Sequence, residues 1–194
     1  MSIQTRRERE RADRERLIVT AARELAESEG WDAVTTRRLA AEIEYSQPVL
    51  YSHFKGKDAI MAAVAVQGCA DLAVELRTAR EGASGPRAHL AAVGRAYTAF
   101  ALRRPAVYDA IFTLPVDLPF ATPEAPEPLQ AAFGELLRAV TPIAEPGDEP
   151  GLLTETYWAG LHGLITLMRS GRLPAREHER RLSLLIAHFT AGHG

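Results

Sequence analysis

An all-helical fold is what this sequence predicts, and three observations predict it. Apolar residues recur three and four positions apart along the whole chain, the period of an amphipathic helix. No stretch shows the strict alternation of a half-buried strand. Proline and glycine punctuate the apolar segments at intervals suited to helix starts and stops.

The elements follow in order. Leu17, Ile18, Ala21, Ala22, Leu25 and Ala26 form one stripe on a first helix that leaves an arginine-rich start and stops at Gly30. Two short helices are expected at 36–43 and 47–53. A long helix follows Lys57 through Ile60, Val64 and Leu72 to Arg80, and "GASGP" ends it. Pro86, Pro105 and Pro174 suit the first turn of a helix, where a missing N–H costs nothing, and open 86–103, 105–113 and 174–191. Further helices fit 127–140 and 150–170, for about nine in all. "LPVDLPFATPEAPEP" is too rich in proline for regular helix and reads as a loop. Everything before the long helix is short and tightly punctuated and everything after it is longer and more apolar, so a domain 1–57 and a domain 58–194 are expected.

With 194 residues, 46% hydrophobic and 25% charged, the chain has the composition of an ordinary globular protein. No run reaches the roughly 18 uninterrupted apolar residues of a membrane span, and the start lacks the apolar stretch of a secretory signal, so a cytoplasmic protein with no membrane partner is expected. Cys69 is the single cysteine, which removes intrachain disulfides and cysteine-based zinc sites. His188 and His193 form a weak pair without a third ligand, so no metal and no cofactor is expected. A formal net charge of −2 argues against a protein that coats nucleic acid over its whole surface. Any DNA footprint is local, and between Thr35 and Lys57 the cations Arg37, Arg38, Lys55 and Lys57 outnumber Glu42 and Glu44.

The densest signal lies in that interval. Thr35 is a suitable N-cap, with Val34 before it placed to meet Leu39 as a hydrophobic staple. Ser46 repeats the device, with Tyr45 and Leu50 as the apolar pair. Pro48 then falls on the second residue of its helix, where no intrahelical acceptor awaits an N–H. Two capped helices joined by a turn of about three residues make a helix-turn-helix unit, with Leu39, Ile43 and Leu50 facing the first helix. If the second helix enters a major groove, Gln47, Pro48 and Val49 at its start meet base edges: glutamine pairs with adenine and the apolar pair meets a thymine methyl. Tyr51, Ser52 and His53 then lie beside the backbone, and Lys57 opens the next helix, a position that favours phosphate.

The segments "GWDAVTTRRLAAEI" and "SQPVLYSHFKGKDAI" resemble the TetR family of transcriptional regulators over residues 15–60. That resemblance implies that Thr36 and Arg37 touch phosphate or a base and that Tyr51, His53 and Lys57 touch phosphate. The family's turn usually holds glycine where this chain has Glu44, and a left-handed backbone at a residue other than glycine costs about 1 kcal/mol. The start "RRERERADRER" reads either as a solvated, self-paired helix extension or as an arm along DNA, and its alternation of arginine with acidic residues favours the first.

In the second part, "YWAGLHGLITLM" is apolar on nearly every side, so its helix is buried on more than one face. Trp158, His162 and Ile165 fall on one side and Tyr157, Leu161, Leu164 and Met168 on another. Its Trp-x-x-x-His-Gly spacing, with "AYTAFALRRPAVYDAIF" before it, resembles a C-terminal domain type of TetR-like regulators over 86–191. The resemblance implies a homodimer packed through the last two helices, with Leu182, Leu185, Ile186 and Phe189 as a plausible seam. It also implies a cavity for a small, apolar effector, for which Tyr97, Phe100, Tyr108, Phe112, Trp158 and His162 are the candidates. The expected function is a ligand-responsive repressor of a near-palindromic double-stranded DNA operator. Two other readings compete: a helical protein-interaction module, or a small helical enzyme using His162 and Tyr97. The second lacks any accompanying nucleophile, metal motif or phosphate loop and is not the expectation.

Overall fold

A computed structural model of the chain describes residues 3–120 and 122–191, and His193 of the weak histidine pair lies outside them. The described residues form helices joined by turns: α1 Ile3–Glu29, α2 Thr36–Glu42, α3 Gln47–His53, α4 Lys57–Glu81, α5 Pro86–Arg103, α6 Pro105–Phe112, α7 Glu127–Val140, α8 Pro150–Arg169 and α9 His178–Phe189. Pro174 does not open the last of these. It precedes a single 3₁₀ turn, Ala175–Glu177, and α9 starts after it.

The chain divides into two compact units, the first made of Met1–Gly68 and Arg104–Pro126, the second of Cys69–Arg103 and Glu127–Gly194. In the first, Ile18, Ala21, Ala22, Leu25 and Ala26 of α1 are buried together with Val34, Leu39 and Leu50. Leu17 is 44% exposed. It lies about 100° round the helix from Ile18, outside the stripe it was expected to share. The first unit also takes in α6, because α1 caps it. Pro105 has no N–H, and the Glu27 carboxylate accepts the next two, from Ala106 at 3.1 Å and Val107 at 3.0 Å. The Trp31 indole N–H donates to the Ala106 carbonyl at 2.8 Å. On α4, a Cβ at Gly68 would stand 2.4 Å from Val107 Cγ1, so glycine is what lets α4 and α6 approach this closely.

In the second unit, Leu72, Leu76, Leu90, Val93, Tyr97, Phe100, Leu136, Tyr157, Leu161 and Ile165 are core. Ile165 thus shares the buried face of Tyr157 and Leu161, while Trp158 and His162 are half-buried beside it. Glu135 is 1% exposed and accepts bonds from Arg77 at 3.1 Å, Arg80 at 2.9 Å and Arg138 at 2.9 Å. Burial pulls its pKa up, but the bonds from Arg80 and Arg77 outweigh that and hold the carboxyl below its ordinary range. Burial pushes the Cys69 thiol up to about 12, so this cysteine is a packing residue. By length and composition α4 alone among the described helices could cross a membrane, yet half of its apolar window is buried inside the fold, as in a core helix.

The turn between α2 and α3 carries the strain expected of it. Tyr45 N–H bonds the Ala40 carbonyl at 2.8 Å and Glu44 N–H bonds that of Ala41 at 3.3 Å, a Schellman closure with Glu44 at φ 57°. The end of α8 closes in the same way around Gly171 at φ 72°, which shows what the usual residue is. Glu44→Gly relieves the Cβ strain at some entropic cost, and a net gain of about 0.5–1 kcal/mol is expected. Thermal unfolding should then shift upward by about 1–4 °C for a chain of this size. A lower midpoint would mean that Glu44 contributes something its backbone does not reveal.

Candidate nucleic-acid interface

The α2–α3 pair is built by local rules. Thr35 Oγ1 accepts the Arg38 N–H at 3.1 Å, which fixes the start of α2. Ser46 stands at the N-cap of α3 with an extended backbone, but its hydroxyl makes no capping bond. Pro48 accounts for part of this, since an N-cap serves the N–H of the second or third helical residue and proline removes one of the two. Leu50, fully buried, and Leu39, equally so, hold the pair against the body of the first unit, while Ile43 is half-buried.

That packing turns the opposite side of α3 outward. Gln47, Pro48, Val49, Tyr51 and Ser52 are all exposed, Val49 by 37% and Tyr51 by 51%. Thr36 and Tyr51 join the two helix faces through hydroxyls 3.3 Å apart. Ser52 Oγ donates back to the Val49 carbonyl at 2.6 Å. Arg37 is exposed beside Thr36. Arg38 instead turns to α1, with Nη1 2.6 Å from Glu29 Oε2 and Nη2 on the other oxygen. This pairing holds the Glu29 carboxyl below its usual range.

Two residues at the edge of the surface have partners that spacing does not reveal. The His53 side chain is 6% exposed with Nδ1 3.3 Å from Glu15 Oε1, which ties the end of α3 to α1. Lys57 donates through Nζ to the Trp31 carbonyl and is half-buried. Glu15, Glu29 and Trp31 are thus positioning residues that the sequence reading missed. The pairs are separated by 38, 9 and 26 positions, and nothing periodic connects them.

The candidate effector residues fall into two groups. In the second unit, the Trp158 indole N–H donates to the Tyr97 hydroxyl at 2.9 Å, and the Trp158 and His162 rings lie 6.4 Å apart. His162 Nε2 is 3.4 Å from Thr166 Oγ1, and Phe100 is fully buried. In the first unit, Tyr108 and Phe112 pack edge to face at 5.0 Å.

The last two helices carry a second apolar feature. An open groove of about 420 Å³ is lined by Ala159, Gly160, Gly163, Leu164, Leu184 and Leu185, with Arg181. The seam expected at Leu182, Leu185, Ile186 and Phe189 is largely an internal face. Leu182 and Ile186 are 1% and 4% exposed, Phe189 packs edge to face on Tyr157 at 5.3 Å, and Leu185 closes over Gly160. A three-and-four repeat marks a buried face without saying whether its own chain or another one buries it. Leu184, at 56%, is the residue of α9 that points away.

Comparison with known proteins places this geometry. Residues 18–64 match the family of bacterial regulatory proteins called tetR, and residues 90–189 match the tetracyclin repressor-like C-terminal domain. The uncharacterized HTH-type transcriptional regulator Rv0681 of Mycobacterium tuberculosis is 24% identical over 175 residues, which span 90% of this chain and 79% of that protein. A protein of unknown function from Rhodococcus sp. RHA1 superposes with a TM-score of 0.76 at 27% identity, over 92% of this chain and 93% of its own. A variant of TetR from Acinetobacter baumannii, solved in complex with minocycline, superposes with a TM-score of 0.66 over 90% and 93% of the two chains, and its 19% identity speaks for the fold alone. With both parts matched in chain order, and with α3 presenting its outer face as a helix-turn-helix requires, the chain belongs to the TetR family of DNA-binding transcriptional regulators.

Proposed function

We propose that the chain is a homodimeric repressor of a near-palindromic operator, released by a small apolar effector. The observation that carries the operator half of this reading is the exposed start of α3, where Gln47, Pro48 and Val49 stand uncovered above a buried Leu50. Two-fold symmetry would set two such helices about 34 Å apart, one helical turn of DNA, so that each reads a half-site. The effector half is supported by the family and by the Tyr97–Trp158–His162 group, where the half-buried Trp158 and His162 rings lie 6.4 Å apart and the Trp158 indole N–H donates to the Tyr97 hydroxyl. The A. baumannii relative holds minocycline, which makes a partly aromatic ligand a reasonable first class to screen.

Selection of bound duplexes from a random DNA pool tests the operator half directly. Two half-sites in inverted repeat, one turn apart, are the expected result, and recovery of unrelated sequences would overturn it. For the effector, Trp31→Phe leaves Trp158 as the only tryptophan reporter. It removes the bond to Ala106, so its unfolding must first be compared with the parent. Compounds that perturb Trp158 emission should weaken operator binding by about 1–3 kcal/mol, the usual size of such a coupling, because an effector with equal affinity for both states shifts nothing. Hits that leave operator affinity unchanged to within about 0.3 kcal/mol would refute the coupling.

A further inference from the structure

The helix α1 begins at Ile3, whereas the family match begins at residue 18. The part of α1 that precedes this match carries six arginines against four acidic residues over 3–16, in a chain whose net charge is −2. Its side chains from Arg6 to Arg14 are exposed, so no core explains it. Read along the chain, arginine and acid alternate. On the helix they separate. Arg14, Arg11 and Arg7 precede the buried Ile18 by four, seven and eleven positions, and at about 100° per residue they lie within roughly 40° of its direction. Arg6, Arg9 and Arg16 fall on the far side, with Asp13 among them, and Glu8, Glu10 and Glu15 flank the first group.

The face carrying Arg7, Arg11 and Arg14 is therefore the outward continuation of the face by which α1 holds the helix-turn-helix. The link between the two is explicit: Arg11 pairs with Glu15 at 2.9 Å, and Glu15 meets His53, the last residue of α3, at 3.3 Å. Arg6 pairs with Glu10 at 2.8 Å and Arg16 with Asp13. Neither Arg7 nor Arg14 is engaged by an acidic side chain among the described residues. From Glu15 back to Ile3 the helix axis extends roughly 18 Å beyond the end of α3, at about 1.5 Å per residue.

We propose that Arg7, Arg11 and Arg14 bind DNA phosphates just outside the half-site that α3 reads, so that the extension lengthens the footprint without adding base recognition. The inference rests on α3 being the groove-reading helix. Duplex DNA is the occupant the placement favours, because the stripe continues from the DNA-binding helices and its chemistry is point positive charge at helical spacing, which suits a regular array of phosphates.

The test uses operator duplexes taken from the random-pool selection, prepared with about two and with about ten base pairs beyond each half-site, and the full chain in each case. The parent should bind the longer duplex about tenfold more tightly, with a salt slope steeper by about 2–3 per chain, as three phosphate contacts require. Replacing Arg7, Arg11 and Arg14 together by Gln, which keeps helix propensity, should erase both differences. The pair Arg7→Gln and Arg14→Gln leaves the Arg11–Glu15–His53 connection intact and should erase about two thirds of the slope difference. A parent indifferent to duplex length, or a triple variant that keeps the length dependence, would overturn the proposal. Equal loss on both duplexes would also overturn it, since that is a general field effect rather than contact with the flank. A parent that binds neither duplex would sink the operator reading instead.

Discussion

Leu184→Glu should convert the protein to monomers that keep their fold and lose tight operator binding. Leu184 is 56% exposed on α9, and it lines the groove that α8 and α9 share with Gly160, Gly163 and Leu164. Leu152 and Leu167 of α8 are also exposed, at 58% and 41%. A single chain gains nothing by presenting such a surface to water, and in the proposed homodimer a two-fold partner would cover it with an identical one. At a two-fold interface a new carboxylate is desolvated against a face carrying the same carboxylate, and Arg181, three residues earlier in the same groove, offsets only part of that cost. Breaking charge balance in a buried setting costs about 3–5 kcal/mol, which raises the dimer dissociation constant by about 10²–10⁴. The choice of residue matters. Leu182→Glu would place the charge in the chain's own core, where unfolding and dissociation could not be told apart, whereas Leu184 leaves that core untouched. Sedimentation velocity gives the oligomeric state and thermal unfolding the fold. A variant dimer as tight as the parent would move the interface away from this pair of helices.

Helix boundaries were legible because they are written in local chemistry. Pro86 and Pro105 open helices at their first position, Thr35 caps α2, and Gly30 and Gly171 close α1 and α8. The strained turn at Glu44 was expected only through the family resemblance, whose turn usually holds glycine there, and Glu44 does stand at φ 57°. What escaped was everything set by partners distant in sequence. Glu27 and the start of α6 meet across 79 residues, and this draws α6 into the first unit although it follows α5 without a break. His53 finds Glu15 and Lys57 finds Trp31 in the same way. Part of the expected seam on α9 is an internal face for another reason. Its apolar stripe is real, but Leu182 and Ile186 are buried within their own chain, while Leu185 lines the open groove together with the outward Leu184. The exposed residues of α3, Gln47, Pro48, Val49 and Tyr51, were legible because helix phase relative to one buried residue, Leu50, decides which side faces out, whereas the buried side chain of His53 was not.

That phase leads to the remaining large effect, a difference in kind between two substitutions on the same surface. Gln47 opens α3 and is exposed, and no side-chain hydrogen bond ties it to another of the described residues. Its amide can pair bidentately with adenine, so Gln47→Ala should cost about 1–3 kcal/mol in each half-site, twice that in a two-fold complex, and relax preference at one operator position. Lys57 opens α4 and its ammonium rests on the Trp31 carbonyl in the free chain. A phosphate arriving at the start of α4 would meet helix-terminal N–H groups, and the Lys57 ammonium could leave the Trp31 carbonyl to pair with it. Lys57→Ala should therefore weaken all duplexes alike and flatten the salt slope by about 1 per chain, leaving sequence preference where it was. The comparison is made by measuring affinity over a panel of single-position operator variants at several salt concentrations. Loss confined to one position for Gln47→Ala and uniform loss for Lys57→Ala is the expected pair of results. If Gln47→Ala left preference at every position unchanged, α3 would not read bases through this residue. If Lys57→Ala changed preference at one position with no change of slope, Lys57 would be the base reader and the orientation of α3 in the groove would have to be reversed, with its C-terminal end innermost.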